Sequence, residues 1–113
     1  MSRASAARSL RAAAPLFAAL GDETRLHLVS RLCQEGPLSI TQLSEGVPVT
    51  RQAITKHLTT LADAGVVRDA RSGRERIWQL EPRSISEAQQ RLAAISAQWD
   101  AAIERLRRFV EED

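Results

Sequence analysis

TRQAITKHLTTLADAG, Thr50 to Gly65, is the stretch on which the reading of this chain turns. Thr50 has a hydroxyl suited to capping a helix N-terminus. Gly65 stands where a left-handed C-terminal stop is wanted. Between them Ile54, Leu58 and Leu61 recur at helical spacing, which turns one stripe toward a core. The opposite face carries Arg51, Gln52, Thr55, Lys56 and Thr59, all polar and able to donate hydrogen bonds. Those side chains can reach phosphates and base edges in the major groove of a duplex.

Immediately upstream, Ser39-Ile40-Thr41-Gln42 matches a capping box and opens a short helix of about two turns. Gly46-Val47-Pro48 turns the chain into the Thr50 helix, so residues 39–64 read as a helix-turn-helix. Downstream, residues 66–80 read as a hairpin: strands Val66 to Arg71 and Glu75 to Leu80 flank Ser72-Gly73. Alternation puts Trp78 and Leu80 on one face and Ile77 on the other. Arg71, Arg74 and Arg76 cluster at the turn. From Arg51 to Arg76 the basic residues are Arg51, Lys56, Arg68, Arg71, Arg74 and Arg76, against Asp63, Asp69 and Glu75. The formal net charge is only +2, so it is this concentration of positive charge that points to nucleic acid.

The flanks read as helices. One runs over residues 9–20, with Leu10, Leu16, Phe17 and Leu20 as apolar members and Pro15 as a point of kinking or restart. Residues 1–8, small and polar, are expected to fray. Asp22 reads as the N-cap of a helix from Glu23 to Gln34, ended by Gly36-Pro37, with Leu26, Val29 and Leu32 or Cys33 inward. Residues 84–111 contain neither Gly nor Pro. There Ile85, Ala88, Leu92, Ile95, Trp99, Ala102, Leu106 and Phe109 alternate in steps of three and four, a continuous seam that Ile103 and Val110 widen. Such a helix is roughly 40 Å long and has more apolar surface than one small domain covers. A second copy of the chain is the simplest cover. The interface is expected to include Leu10, Phe17, Leu92, Ile95, Trp99, Ala102, Leu106 and Phe109.

The 113 residues suit one domain, residues 1–113, mainly α with a small β-hairpin. Apolar residues at 43% suffice for a modest core. The single cysteine, Cys33, excludes an intrachain disulfide framework and fits a reducing cytoplasm. The chain lacks an apolar run of the ~20 residues a membrane span needs. Arg8 and Arg11 interrupt the alanine-rich start, so it does not read as a signal peptide. Together these predict a cytoplasmic protein without membrane attachment.

LFAALGDETRLHLVSRL (Leu16–Leu32), SITQLSEGVPVTRQAITKHLTTLADAGVV (Ser39–Val67) and GRERIWQL (Gly73–Leu80) resemble the ArsR/SmtB family of bacterial winged-helix regulators. The resemblance runs from about Ala13 to Phe109. It implies a winged helix-turn-helix that dimerises through its N- and C-terminal helices and presents two recognition helices and two wings to DNA. It further implies repression of promoters and release of DNA on a signal. Many members sense metals through cysteines in the third helix, in a pattern like ELCVCDL. Here the segment is PLSITQL, with Ser39 and Thr41 in the thiolate positions. Other members use ligands on the last helix, but residues 84–113 hold neither His nor Cys. With one Cys and two His in the chain, a usual closed zinc site is out of reach. No metal and no cofactor is expected.

The expected DNA contacts are Thr50, Arg51, Gln52, Thr55, Lys56, Thr59, Arg71 and Arg74. Gln52 is the choice for base reading, because a carboxamide pairs bidentately with adenine. Arg51 and Lys56 suit guanine or phosphate, and Thr50 and Thr55 suit phosphate. Arg71 and Arg74 suit phosphates or a minor groove, while Arg76 can instead pair with Asp69 or Asp63 inside the fold. For His57, packing within the helix-turn-helix is favoured over DNA contact. Cys33 reads as a small buried residue, and Trp78 and Trp99 as core and interface anchors. Without a glycine-rich phosphate loop, a clustered His/Cys/Asp set or a nucleophile motif, the chain does not read as an enzyme. The reading is a dimeric, sequence-specific transcriptional repressor whose partner is a double-stranded operator with inverted half-sites and whose effector is unassigned. The competing reading is a winged-helix protein-interaction module that pairs through its C-terminal helix.

Overall fold

The structure, a computed structural model, describes residues 3–111, with side chains described at residue 8 and from residue 11 onward. The elements in chain order are α1 (Arg3–Leu20), α2 (Glu23–Glu35), β1 (Leu38–Ser39), α3 (Ile40–Ser44), α4 (Arg51–Asp63), β2 (Val67–Ser72), β3 (Glu75–Leu80) and α5 (Pro82–Glu111). α1 begins at Arg3, six residues before the expected start. Ala4, Ala6 and Ala7 are the strongest helix formers and nothing near them breaks a helix. The helix also continues through Pro15. The side chain of Leu10 lies outside the described residues.

Asp22 caps α2: its Oδ2 accepts the Arg25 N–H at 3.0 Å, and Gly36 ends the helix at φ 81°. The buried side chains of α2 are Leu28, Val29 and Leu32. Leu26 is 54% exposed and Cys33 is exposed, so the expected inward placement of both is corrected. The segment LHLVSRLC offers two overlapping helical stripes. The core takes the one containing Leu28, and that rotation carries Leu26 and Cys33 to the outside.

The hairpin forms with Ser72 opposite Glu75 and Val67 opposite Leu80. A third strand, β1, was not expected. Leu38 pairs with Trp78 and Ser39 with Ile77, giving an antiparallel sheet in the order β1-β3-β2. Ser39 then caps α3. Its Oγ accepts the Gln42 N–H at 3.2 Å while Gln42 Oε1 accepts the Ser39 N–H at 2.9 Å, the anticipated capping box. α3 itself spans only five residues.

Leu16, Ala19, Leu28, Val29, Leu32, Leu38, Leu43, Ile54, Leu58, Leu61, Val66, Val67, Trp78 and Ala88 form one buried cluster. Phe17 and Ile85 pack against its edge. Two hydrogen bonds fasten the start of α5 to the end of α4: Glu81 N–H to Val66 C=O at 2.9 Å, and the Ser84 hydroxyl to Gly65 C=O. After Arg91, α5 leaves the core. Leu92, Ile95, Trp99, Ala102, Ile103, Leu106, Phe109 and Val110 are all exposed, Trp99 by 68% and Phe109 by 70%.

Candidate DNA-binding face

Both ends of α4 are closed by local hydrogen bonds. Thr50 Oγ1 accepts the Ala53 N–H at 3.0 Å. At the other end Val66 N–H reaches Leu61 C=O and Gly65 N–H reaches Ala62 C=O, both at 2.9 Å, with Gly65 at φ 78°. This is the paired termination that a left-handed glycine permits. Ile54, Leu58 and Leu61 are fully buried. Each such burial is worth about 1.5–3 kcal/mol and holds the helix against the body with its other face outward.

That outer face carries Arg51, Gln52, Lys56 and Thr59 exposed, with Thr55 half-buried and Thr50 exposed at the cap. Their hydrogen bonds sort them. Arg51 Nη2 donates to Thr41 Oγ1 on α3 at 3.2 Å, bracing the two helices across the turn. The hydroxyls of Thr55 and Thr59 donate to the carbonyls of Arg51 and Thr55, each at 2.9 Å, and Thr60 donates to Lys56 C=O at 3.1 Å. Phosphate oxygens only accept, so Thr55 and Thr59 can donate to them only by leaving these bonds. Thr50 differs. Its oxygen accepts the capping N–H and its own proton is free to donate.

In the wing, ion pairs divide the basic residues. Arg76 Nε donates to Asp69 Oδ2 at 2.6 Å, and its guanidinium lies 4.6 Å from the centroid of the Trp78 ring. The Arg76 hydrogen bond holds the Asp69 carboxyl below its ordinary pKa. Arg68 lies 3.5 Å from Glu81. Arg71 and Arg74 are exposed and, among the described residues, have no acidic partner within 4.0 Å. Arg71 stands opposite Arg76 in the ladder, and Arg74 follows Gly73, whose φ of 65° closes the turn. Two of the four wing arginines are thus neutralised locally and two are available to an anion.

His57 is half-buried on the inner flank of α4, where its Nδ1 lies 3.3 Å from Arg25 Nη1 and 3.9 Å from Asp22 Oδ2. Arg25 Nε also donates to Ala19 C=O at 2.6 Å. The Arg25 backbone N–H, with the guanidinium's charge as a lesser cause, keeps the Asp22 carboxyl below its ordinary pKa. Sequence reasoning passed over Arg25, and it placed Thr41 only at a thiolate position, without its bond to Arg51. The only signal was the place of Arg25 three residues after a capping aspartate.

Among the described residues, no three His, Cys, Asp or Glu side chains converge on a point that could hold a metal. Ser39 Oγ is occupied by its cap and Thr41 Oγ1 by Arg51. Among the same residues, no helix is long and apolar enough to cross a membrane.

A short helix, a tight turn, a second helix with an outward polar face and a basic hairpin beside it define a winged helix-turn-helix protein. Comparisons narrow the class. A family described as a helix-turn-helix domain matches residues 20–70. The chain is 40% identical over 68 residues to the HTH-type transcriptional regulator Rv2034 of Mycobacterium tuberculosis, a match covering 60% of this chain and 63% of that relative. It is 30% identical over 70 residues to the arsenical resistance operon repressor of Bacillus subtilis, covering 62% of this chain and 67% of the relative. A solved ArsR-like transcriptional regulator from Rhodococcus sp. RHA1 superposes with a TM-score of 0.73 at 32% identity, over 88% of this chain and 93% of that one. The chain belongs to the ArsR family of transcriptional regulators. These relatives are regulators of transcription, not enzymes.

Proposed function

We propose that this chain acts as a homodimer that binds a double-stranded operator with inverted half-sites and represses transcription there. Thr50, Arg51, Gln52 and Lys56 read the groove, Thr55 and Thr59 line it, and Arg71 and Arg74 hold the flanking backbone. One observation carries the reading: the same chain exposes a polar recognition face on α4 and an uncovered apolar seam on α5. The first suits a duplex and the second suits a copy of itself, joined through α5 and the edge of α1 at Phe17. The repressor relative from Bacillus subtilis supports the sign of the regulation.

The signal that releases DNA is not a metal bound at either of the family's usual sites. Hydroxyls stand in the thiolate positions, and both are already engaged within the fold.

Selection of bound sequences from random DNA, together with sedimentation of the free protein, tests the proposal. The expected result is a dimer that enriches two half-sites about one helical turn apart. Exchanging Arg51 and Gln52 together for alanine should abolish specific binding and leave the dimer intact. A double variant that still shifts the selected site would refute the assignment of α4.

A further inference from the structure

The geometry points to Arg25 and His57 as a positioning pair that joins the end of α1 to the recognition helix and so sets the angle at which α4 is presented to DNA. The inference rests on the proposed operator binding and adds residues that touch no base. Arg25 sits in the first turn of α2 and reaches two other helices. Its Nε donates to the Ala19 carbonyl in the last turn of α1 at 2.6 Å, and its Nη1 lies 3.3 Å from His57 Nδ1 on α4. A guanidinium only donates, so Nδ1 must be the acceptor and the ring proton must sit on Nε2. Asp22 fixes the base of the device by accepting the Arg25 N–H at 3.0 Å.

The bracing lies at the seam between α1 and α4, in a groove lined by Pro15, Ala18, Ala19, Arg25, Thr60 and Asp63. Buried Ile54, Leu58 and Leu61 fix which face of α4 turns inward, while the small side chains in this groove leave the fine angle between α1 and α4 open to a further restraint. Two directed hydrogen bonds from one planar, rigid fork supply that restraint. Lysine cannot replace it, because a single ammonium does not present donors at the two separated positions of Nε and Nη1. Because α1 is also a helix of the proposed dimer, the pair links the interface between copies to the reading surface.

Four measurements test the pair. In wild type, long-range proton–nitrogen NMR should show His57 as the Nε2–H tautomer at neutral pH. His57→Asn keeps an acceptor near the place of Nδ1 and should retain operator affinity. His57→Leu and Arg25→Lys should each lose roughly tenfold in affinity for the selected operator, the scale of one charge-assisted hydrogen bond per site. Their affinity for random duplex at low salt should not change, because the phosphate-binding side chains are untouched. An Nδ1–H tautomer overturns the pairing. So does a His57→Asn variant as impaired as His57→Leu, or an Arg25→Lys variant that binds like wild type. Should His57→Leu fail to fold, the tautomer and Arg25→Lys still decide. If wild type selects no DNA at all, operator binding itself is refuted, and the tautomer reports on the pairing alone.

Discussion

The division of the wing arginines leads to a quantitative prediction. Arg71 and Arg74 are exposed and, among the described residues, have no carboxylate within 4.0 Å, whereas Arg76 is held by Asp69 at 2.6 Å. Replacing Arg71 and Arg74 by alanine removes four cations from the proposed dimer. Each phosphate neutralised contributes about 0.9 to the slope of log affinity against log salt, so the slope should become shallower by up to about 3.6. Between roughly 50 and 200 mM salt, that difference amounts to about two orders of magnitude in affinity. The matched control is Asp69→Asn with Arg76→Gln, which deletes a pair of opposite charges and should leave the slope within about one unit of wild type. Fluorescence anisotropy of a labelled operator across a salt series measures both. The reasoning is refuted if the alanine pair shifts affinity at every salt without changing the slope, or if the neutral exchange flattens the slope as much.

Trp99→Glu should convert the proposed dimer to a monomer in sedimentation at micromolar concentration while keeping its far-ultraviolet helicity. Losing two indoles and burying two carboxylates at the seam should weaken self-association by about a thousandfold, and persistence of the dimer would show that the seam is not the interface. Leu58→Ala, at a fully buried position under α4, should cost about 2–5 kcal/mol and lower Tm by about 10 °C or more, read by thermal denaturation. Asp22 titrates below its ordinary 3.8 in the folded chain, so the stability it contributes is present above that value and is lost as pH falls through the folded one. Asp22→Asn keeps the cap and should therefore be close to wild type at pH 7 but lose less Tm on acidification below about pH 4.

What was legible in the sequence follows the range of the interactions. α4 could be read from end to end because its cap, stripe and glycine stop are all local; each signal lies within a turn or two of the feature it specifies. The capping box at Ser39 and the pairing of Arg76 with Asp69 were within reach for the same reason, the latter because a tight hairpin brings residues seven apart together. Leu26 and Cys33 were misplaced because periodicity gives the width of an apolar stripe but not which of two overlapping stripes the core will take. β1 escaped because two residues carry no alternation, and its partner Trp78 lies forty residues along the chain. The contact between Arg25 and His57 spans thirty-two residues and joins separate helices, so no local pattern announces it. The polar face of α4 was visible as a set of residue types. That its threonine hydroxyls are turned back onto their own carbonyls is a matter of rotamer, which composition does not encode.

Ser39 belongs to two elements at once: its backbone is the last rung of the sheet beside Ile77, and its side chain opens α3. No loop separates β1, the strand paired with the wing's β3, from α3, the first helix of the reading unit. Tilting the hairpin therefore drags the head of α3 with it, and through the brace from Thr41 to Arg51 the tilt passes on to α4. On a duplex, wing and rod should engage in concert as a single stiff clamp rather than as two independently adjusting fingers.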